Sequence, residues 1–418
     1  MKHIVIVGGG FAGLNAAKVL GKSKKVKVTL IDKLNHHLFQ PLLYQVAMAA
    51  LSPAEIAAPI RSLLSKYKNV TVVKAEVTAI DLENKIVKSD ELDLNYDYLI
   101  LACGAQHSYF GNEKWEKHSP GLKTIEQATE IRRRVLLAFE KAEIERDPDK
   151  KKELMTFAIV GGGPTGVELA GAIGEMSRFT LSKDFRNIDP KLTRIILIEA
   201  GPRILPMYTE KLSGRATRDL EKIGVQVWTS SMVTNIDENG VDVGSERLNA
   251  KTVLWAAGVQ PSKLNLQLGA ELDELGRVKV KSDLTIENIP ELYVLGDQAN
   301  VIDKDGNPLP GLAPIALQQG KRAAKNILLD IEGKPKEDFV YLDKGQAATI
   351  GRSKAIVEAW KLQFGGFIAW LIWLAVHIYY LTGFKNRLFV IISWAWSYFS
   401  FNRGARLIIP KKWQIYSE

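Results

Sequence analysis

The sequence predicts an α/β chain of two strand–glycine turn–helix domains, the second inserted in the first, followed by a C-terminal apolar helical region. Three observations carry this. The glycine turn occurs twice, as His3-Ile4-Val5-Ile6-Val7 running into Gly8-Gly9-Gly10-Phe11-Ala12-Gly13, and as Ala158-Ile159-Val160 running into Gly161-Gly162-Gly163-Pro164-Thr165-Gly166. A length of 418 residues suits two or three domains. Residues 361–418 then change character, with basic and tryptophan side chains set around long uncharged runs.

In each turn the glycines have dinucleotide-binding spacing. Gly8 and Gly161 allow the tight turn, Gly10 and Gly163 let a pyrophosphate approach the backbone, and Gly13 and Gly166 let helix and strand pack closely. The helix N-terminus offers free N–H groups and a positive dipole end. One such turn is a weak signal, but two, each between an apolar strand and a helix, point to electron transfer between two bound dinucleotides, one of them a flavin. Glu168 has two readings. A carboxylate in the first helical turn complements the macrodipole. Near a bound anion it repels, which suits a role toward the nicotinamide end of the ligand.

The remaining elements follow in order. Val26 to Ile31 is a strand ending at Asp32, nineteen residues after Gly13, where an acid accepts hydrogen bonds from an adenosine ribose. Asn35 to Ala47 fits neither a helix nor a strand, and His36 and His37 lack a second cluster of ligands, so no metal site is expected. Ser52-Pro53-Ala54-Glu55 is a capping box that starts a helix. Strands are expected at 70–74, 76–81 and 96–102, the last leading through Cys103, read as a packed small residue, to Gly104, where a ligand can approach. Thr124 to Asp147 reads as a capped helix stopped by Pro148, with Arg132, Arg133 and Arg134 on a solvated face.

After the second turn, residues 175–193 look like an inserted loop. The strand Arg194 to Ile198 then delivers Glu199, suited to a ribose diol and unfavourable to a 2′-phosphate, although Arg203 offers such a phosphate a partner. Thr252 to Leu254 leads to Gly258. Leu292 to Leu295 leads to Gly296 and Asp297, an acid that meets the ribityl chain in flavin folds of this build. A helix starts near Ala313 and carries Gln318 and Gln319.

Composition excludes several classes. Cys103 is the only cysteine, which removes intrachain disulfides, cysteine-rich metal sites and flavoproteins that work through paired cysteines, sulfide-oxidising ones included. The first strand begins at once, leaving no room for a signal peptide. Net charge is +9, and most of the excess lies in 361–418, where seven basic residues face Glu418 alone. Trp370, Trp373, Trp394, Trp396 and Trp413 accompany them, which suits an anionic bilayer surface and not a nucleic acid.

In these residues the chain resembles the type II NADH:quinone oxidoreductases, single-chain NADH dehydrogenases that do not pump protons. Gly8 to Gly13, Phe39-Gln40-Pro41-Leu42-Leu43-Tyr44-Gln45, Gly161 to Glu168, Gly296-Asp297 and the aromatic basic tail carry the resemblance, which covers nearly the whole length. It implies one non-covalent FAD per chain in the first site, NADH in the second and a membrane quinone as acceptor. Glu168 would then lie near nicotinamide and flavin, and Gln318 would border the quinone pocket. The expected cofactor contacts are Gly8, Gly10, Gly13, Asp32, Gly104, Gly161, Gly163, Gly166, Glu199, Gly258, Gly296, Asp297 and Ala316. Where the family often has Ala-Gln-x-Ala-x-Gln-x-Gly, this chain has Ala313-Pro314-Ile315-Ala316-Leu317-Gln318-Gln319-Gly320, with proline for the first glutamine. The expected domains are 1–115 and 266–335 for FAD, 116–265 for NADH, and 336–418 for the tail.

Phe364 to Phe384 is uncharged for 21 residues and Leu388 to Phe401 for 14. The first run is long enough to span a bilayer and the second too short to return. A single span would strand the basic residues on the far side, against the positive-inside tendency. Two helices lying in one interface avoid that, so the tail is read as a monotopic attachment to the cytoplasmic face, one helix face carrying Trp373, His377 and Tyr380 and another Ser393, Ser397 and Ser400. A homodimer is expected. Two other classes stand beside this reading: a soluble NAD(P)H-dependent reductase of a ferredoxin-like protein, and an NADH-binding redox sensor.

Overall fold

The computed structural model describes residues 1–360, 362–400 and 403–409; Lys361, Phe401, Lys411, Lys412, Trp413 and Glu418 of the tail reading lie outside the described residues. The chain folds as mixed α/β in two compact units. The first takes Met1–Leu38, Ala57–Gln106 and Val259–Leu342, and the second takes Phe39–Ile56, His107–Gly258 and Asp343–Glu418.

In the first unit the apolar run of the N-terminus becomes the Lys2–Val7 strand, inside a six-stranded sheet. From edge to edge the sheet runs Thr285–Ile286, Ile289–Val294, Tyr98–Leu101, Lys2–Val7, Val26–Asp32 and Val70–Lys74, all parallel except for the first pair. Strands buried on both faces are continuous in Val, Ile and Leu, which is why these runs do not alternate. The helices Phe11–Leu20 and Ala313–Ile331 pack against each other. A Cβ on Gly320 would lie 2.1 Å from the Ala12 carbonyl oxygen, so glycine is what permits that approach.

In the second unit a parallel sheet orders Val225–Trp228, Arg194–Ile198, Thr156–Val160 and Thr252–Trp255. An antiparallel sheet of Gln346–Gly351, Lys354–Ala359 and Leu362–Gly366 packs against the Pro164–Glu175 helix. A Cβ on Gly171 of that helix would meet the Ile350 carbonyl oxygen at 2.5 Å.

Several expectations need correction. Asn35 to Ala47 is ordered structure: a short strand His36–Leu38 paired with Ala57–Pro59, a 3₁₀ turn Gln40–Leu42 and a helix Leu43–Ala47. Ser52 does begin a helix, and the Glu55 carboxylate accepts the Ser52 N–H at 2.5 Å, but the helix is the single turn Pro53–Ile56. The strands Ile86–Ser89 and Asp93–Asn95 were not expected. Residues 175–193 contain a π-helical turn, Met176–Thr180, and a 3₁₀ turn, Pro190–Leu192. The capped helix Ile125–Ile144 keeps both halves of its Thr124–Gln127 box, but Pro148 starts the next helix, Pro148–Leu154, instead of ending this one.

Arg132 is not on a solvated face. It is buried and donates to the carbonyls of Val46, Leu51 and Ala405. Arg133 and Arg134 both pair with Glu130.

The 21-residue uncharged run is not one helix. Residues 364–366 close the hairpin, Gly366 turns the chain at φ +82°, and helices Phe367–Tyr380 and Phe384–Ser400 follow. Among the described residues no helix is long and apolar enough to cross a membrane. The two tail helices carry exposed Phe367, Ile368, Leu371, Ile392, Trp396 and Phe399.

Candidate active site

Each unit builds the same cradle from its own residues. In the first, Gly8 takes φ +104°, and a Cβ there would meet the Ala102 carbonyl oxygen at 2.3 Å. A Cβ on Gly13 would meet the Gly8 carbonyl oxygen at 1.9 Å, while at Gly10 nothing lies within 4 Å. In the second, Gly161 takes φ +108° against the Ala256–Ala257 peptide, a Cβ on Gly166 would lie 1.8 Å from the Gly161 oxygen, and Gly163 again faces open space. The middle position is left open in both.

The acids at the strand ends behave alike. Asp32 accepts the N–H of Gly9 at 2.5 Å and of Leu34 at 2.6 Å; burial pushes its carboxyl up, and these hydrogen bonds oppose the shift. Glu199 accepts the N–H of Gly162 at 2.6 Å and of Gly201 at 2.6 Å. Each acid thus also fixes the glycine loop. Arg203 is committed to the carbonyls of Tyr208 and Pro206.

Four further candidate positions of the first unit are Gly104, Gly296, Asp297 and Ala316. Gly104 takes φ +69° and faces open space. Gly296 also takes φ +69°; a Cβ there would lie 3.5 Å from that of Ala316, and its N–H donates to buried Gln319 at 2.6 Å. Asp297 is partly exposed at the start of a 3₁₀ turn. Burial pushes the Cys103 thiol up to about 12, which leaves it un-ionised and suits a packed residue.

Gln318 is half-buried, and its side-chain amide closes on the Leu342 backbone, donating to the oxygen and accepting from the N–H, both at 3.1 Å. The sequence reading missed Gln298, which is fully buried, accepts the Cys103 N–H at 2.6 Å and donates to Asn265. It also missed His37, whose Nδ1 hydrogen-bonds the Gly9 carbonyl at 3.0 Å and whose pKa burial lowers to about 4. Nothing in the local pattern marks Gln298 as a partner of the Cys103 peptide or His37 as a support of the glycine loop.

In the second unit Gly258 takes φ +72°, and a Cβ there would meet the Phe110 ring at 2.5 Å. Glu168 sits one residue past Val167 in the first turns of its helix. Burial raises its carboxyl well above the ordinary range, and an N–H from Thr349 only partly offsets this. Two phenols, Tyr44 and Tyr208, are raised chiefly by burial and, where the Glu168 carboxyl is ionised, further by its charge. Tyr44 accepts from Gln45 Nε2 at 2.9 Å, and Gln45 Oε1 accepts the indole N–H of Trp394 at 2.7 Å. His377 stacks on Trp373 at 4.0 Å between centroids, meets Phe39 edge-on at 6.2 Å, and is lowered to about 4 by burial. Among the described residues no group of three or more His, Cys, Asp or Glu could hold a metal ion.

Comparison with known proteins adds the following. The pyridine nucleotide-disulphide oxidoreductase family model matches residues 2–320. A type II NADH:quinone oxidoreductase of Mycobacterium tuberculosis is 44% identical over 98% of this chain and 91% of its own length. One from Staphylococcus aureus is 32% identical over 84% of this chain and 88% of its own. In fold, the chain is similar to NDH2 from Plasmodium falciparum solved with NADH, with a TM-score of 0.88 at 21% identity over 98% of this chain and 100% of that one. It is also similar to the sulfide:quinone oxidoreductase of Aquifex aeolicus, with a TM-score of 0.73 at 19% identity over 93% and 92%.

Proposed function

Because the chain belongs to the type II NADH:quinone oxidoreductases, within the pyridine nucleotide-disulphide oxidoreductase family, we propose that it oxidises NADH and reduces a membrane quinone through one non-covalently bound FAD, without pumping protons. The observation that carries this is the doubled cradle, one in each unit, each with an open middle glycine and an acid at the next strand end.

The first cradle fits FAD. Gly8, Gly10 and Gly13 would take the pyrophosphate, Asp32 the ribose, and Gly104, Gly296, Asp297 and Ala316 the remainder. When bound, the flavin supplies the two-electron chemistry, taking a hydride from NADH and returning two electrons to the quinone. The chain supplies position and electrostatics. Gly161, Gly163 and Gly166 form the turn that holds the NADH pyrophosphate on a helix N-terminus, and Gly258, packed against the Phe110 ring, follows the strand beside it. Glu199 binds the ribose diol and repels a 2′-phosphate. Arg203, held by two carbonyls, is not available to reverse that preference.

Glu168 turns toward the nicotinamide a carboxyl whose charged form burial disfavours. Gln318 borders the quinone, its amide orientation set by Leu342. The exposed apolar residues of the two tail helices support monotopic attachment, which lets the enzyme collect a hydrophobic quinone from the bilayer. The cytoplasmic face and a homodimer complete the reading; sedimentation of the solubilised protein tests the latter.

Stopped-flow absorbance tests the reaction. FAD-loaded protein is mixed anaerobically with NADH, then with a short-chain quinone. Fast bleaching followed by fast recovery is expected. Bleaching without recovery by any quinone overturns the assignment and favours a protein acceptor or a redox sensor.

A further inference from the structure

Three side chains of the second unit form a line of donors with one polarity. The indole N–H of Trp394 can only donate, so the Gln45 atom 2.7 Å away is its carbonyl oxygen. The Gln45 amide nitrogen then faces the Tyr44 oxygen at 2.9 Å and donates to it. A phenol that accepts from Gln45 keeps its own hydrogen for another partner. Among the described residues the hydroxyl donates no hydrogen bond, although Tyr44 is only 7% exposed; the carboxyls of Glu168 and Glu175 act on it only electrostatically.

A buried donor without an acceptor is unfavourable, and native structures supply a partner. The surroundings say what kind. Trp373 is 1% exposed, stands 5.5 Å from Trp394 between ring centroids, and its indole N–H also lacks a partner among the described residues. His377 stacks on Trp373, and Phe39 meets His377 edge-on. Two unused donors beside a set of flat rings match a planar ligand that carries only acceptors. A quinone, with two carbonyl oxygens, is such a ligand. The same helix that supplies Trp394 exposes Ile392, Trp396 and Phe399.

We propose that Tyr44 donates its hydroxyl hydrogen to a carbonyl oxygen of the quinone, and that Trp394 is a positioning residue that fixes this direction through Gln45. The inference rests on the quinone-reductase reading above and adds residues to its acceptor side. No covalent step is involved; the hydroxyl holds one carbonyl oxygen and so orients the ring.

The test uses the full chain loaded with FAD and four forms: parent, Trp394→Phe, Tyr44→Phe and the double variant. Two readouts are taken with a short-chain quinone, its Kd for the oxidised protein by calorimetry and the rate of flavin recovery after NADH bleaching. Each single variant is expected to raise Kd about fivefold, as the loss of one neutral hydrogen bond does. The double variant should match Tyr44→Phe alone, because Trp394 acts only through that hydroxyl. Recovery with ferricyanide, which has no carbonyl oxygen, should stay within twofold of the parent. An unchanged Kd in either single variant overturns the proposal, as do effects that multiply in the double variant or an equal loss with ferricyanide. A parent that bleaches but recovers with no quinone overturns the functional reading itself, a distinct result.

Discussion

The two glycine cradles are built alike and differ at one telling position. In both, the first glycine takes a positive φ against a neighbouring strand end, the third leaves no space for a Cβ, and the middle one faces open space. Two residues past the third glycine, the first cradle carries Asn15 and the second Glu168. Asn15 is neutral and turns its amide back to the Phe11 carbonyl at 2.8 Å. Glu168 is half-buried, burial raises its carboxyl, and that carboxyl contributes to the raised phenols of Tyr44 and Tyr208. On the proposed reading, the shared scaffold would hold the phosphates, and this side chain would help separate a resident nucleotide from one that must react and leave.

The largest effect expected from breaking this symmetry is on stability. Gly166→Ala forces a Cβ against the Gly161 carbonyl and should cost about 3 kcal/mol, whereas Gly163→Ala, with open space around it, should stay within about 0.5 kcal/mol of the parent. Denaturant melts of both variants check this; equal losses would mean the open space is not real.

Exchanging the telling position comes next. Glu168→Gln should slow NADH-driven bleaching about tenfold, a barrier change of about 1.4 kcal/mol, and Asn15→Asp should weaken FAD retention by a similar factor through repulsion of the pyrophosphate. Stopped flow and flavin release on gel filtration read the two.

Charge at the ribose acid should matter less. Glu199→Gln should shift the NADPH-to-NADH ratio of kcat/KM upward about fivefold by removing a repulsive carboxylate. A ratio that does not move would point to the loop shape that Glu199 also fixes.

The smallest effect is a pH dependence. Burial raises the Glu168 carboxyl above its ordinary 4.5, so above that pH the folded state binds more protons than the unfolded one. Stability from this group therefore falls as pH rises. Glu168→Gln lacks that slope, so its melting temperature should gain on the parent between about pH 5 and 8. A constant gap would mean the carboxyl is not strained in the fold.

How much of this was legible in the chain depends on distance. The cradles, their acids and the parallel strands are local patterns in which spacing and apolar runs act together, and they appear where the sequence puts them. Arg132 shows the limit. On its helix it looks like one of three solvated arginines, because its carbonyl partners lie on segments 86, 81 and 273 residues away. The Trp394–Gln45 bond, 349 residues apart, is invisible for the same reason. The polar strands 86–95 are too short for an alternating pattern to stand out, and Gly366 divides a run that hydropathy alone reads as continuous. Glu168, Gln318 and the nucleotide contacts were legible as candidates, but what each touches comes from tertiary packing.

The carbonyl grip on Phe39–Ile56 has a consequence for the order in which the protein is made. Arg132 needs the Ala405 oxygen, and Arg403 donates to Met48 and Ala172 and pairs with Glu175. During synthesis the Arg132 helix leaves the ribosome long before its last partner does. Domains tend to fold as they emerge, yet this one must wait, holding a guanidinium that is not fully matched until the far end of the chain arrives. The second unit therefore completes itself late, after all three segments of the first have been made.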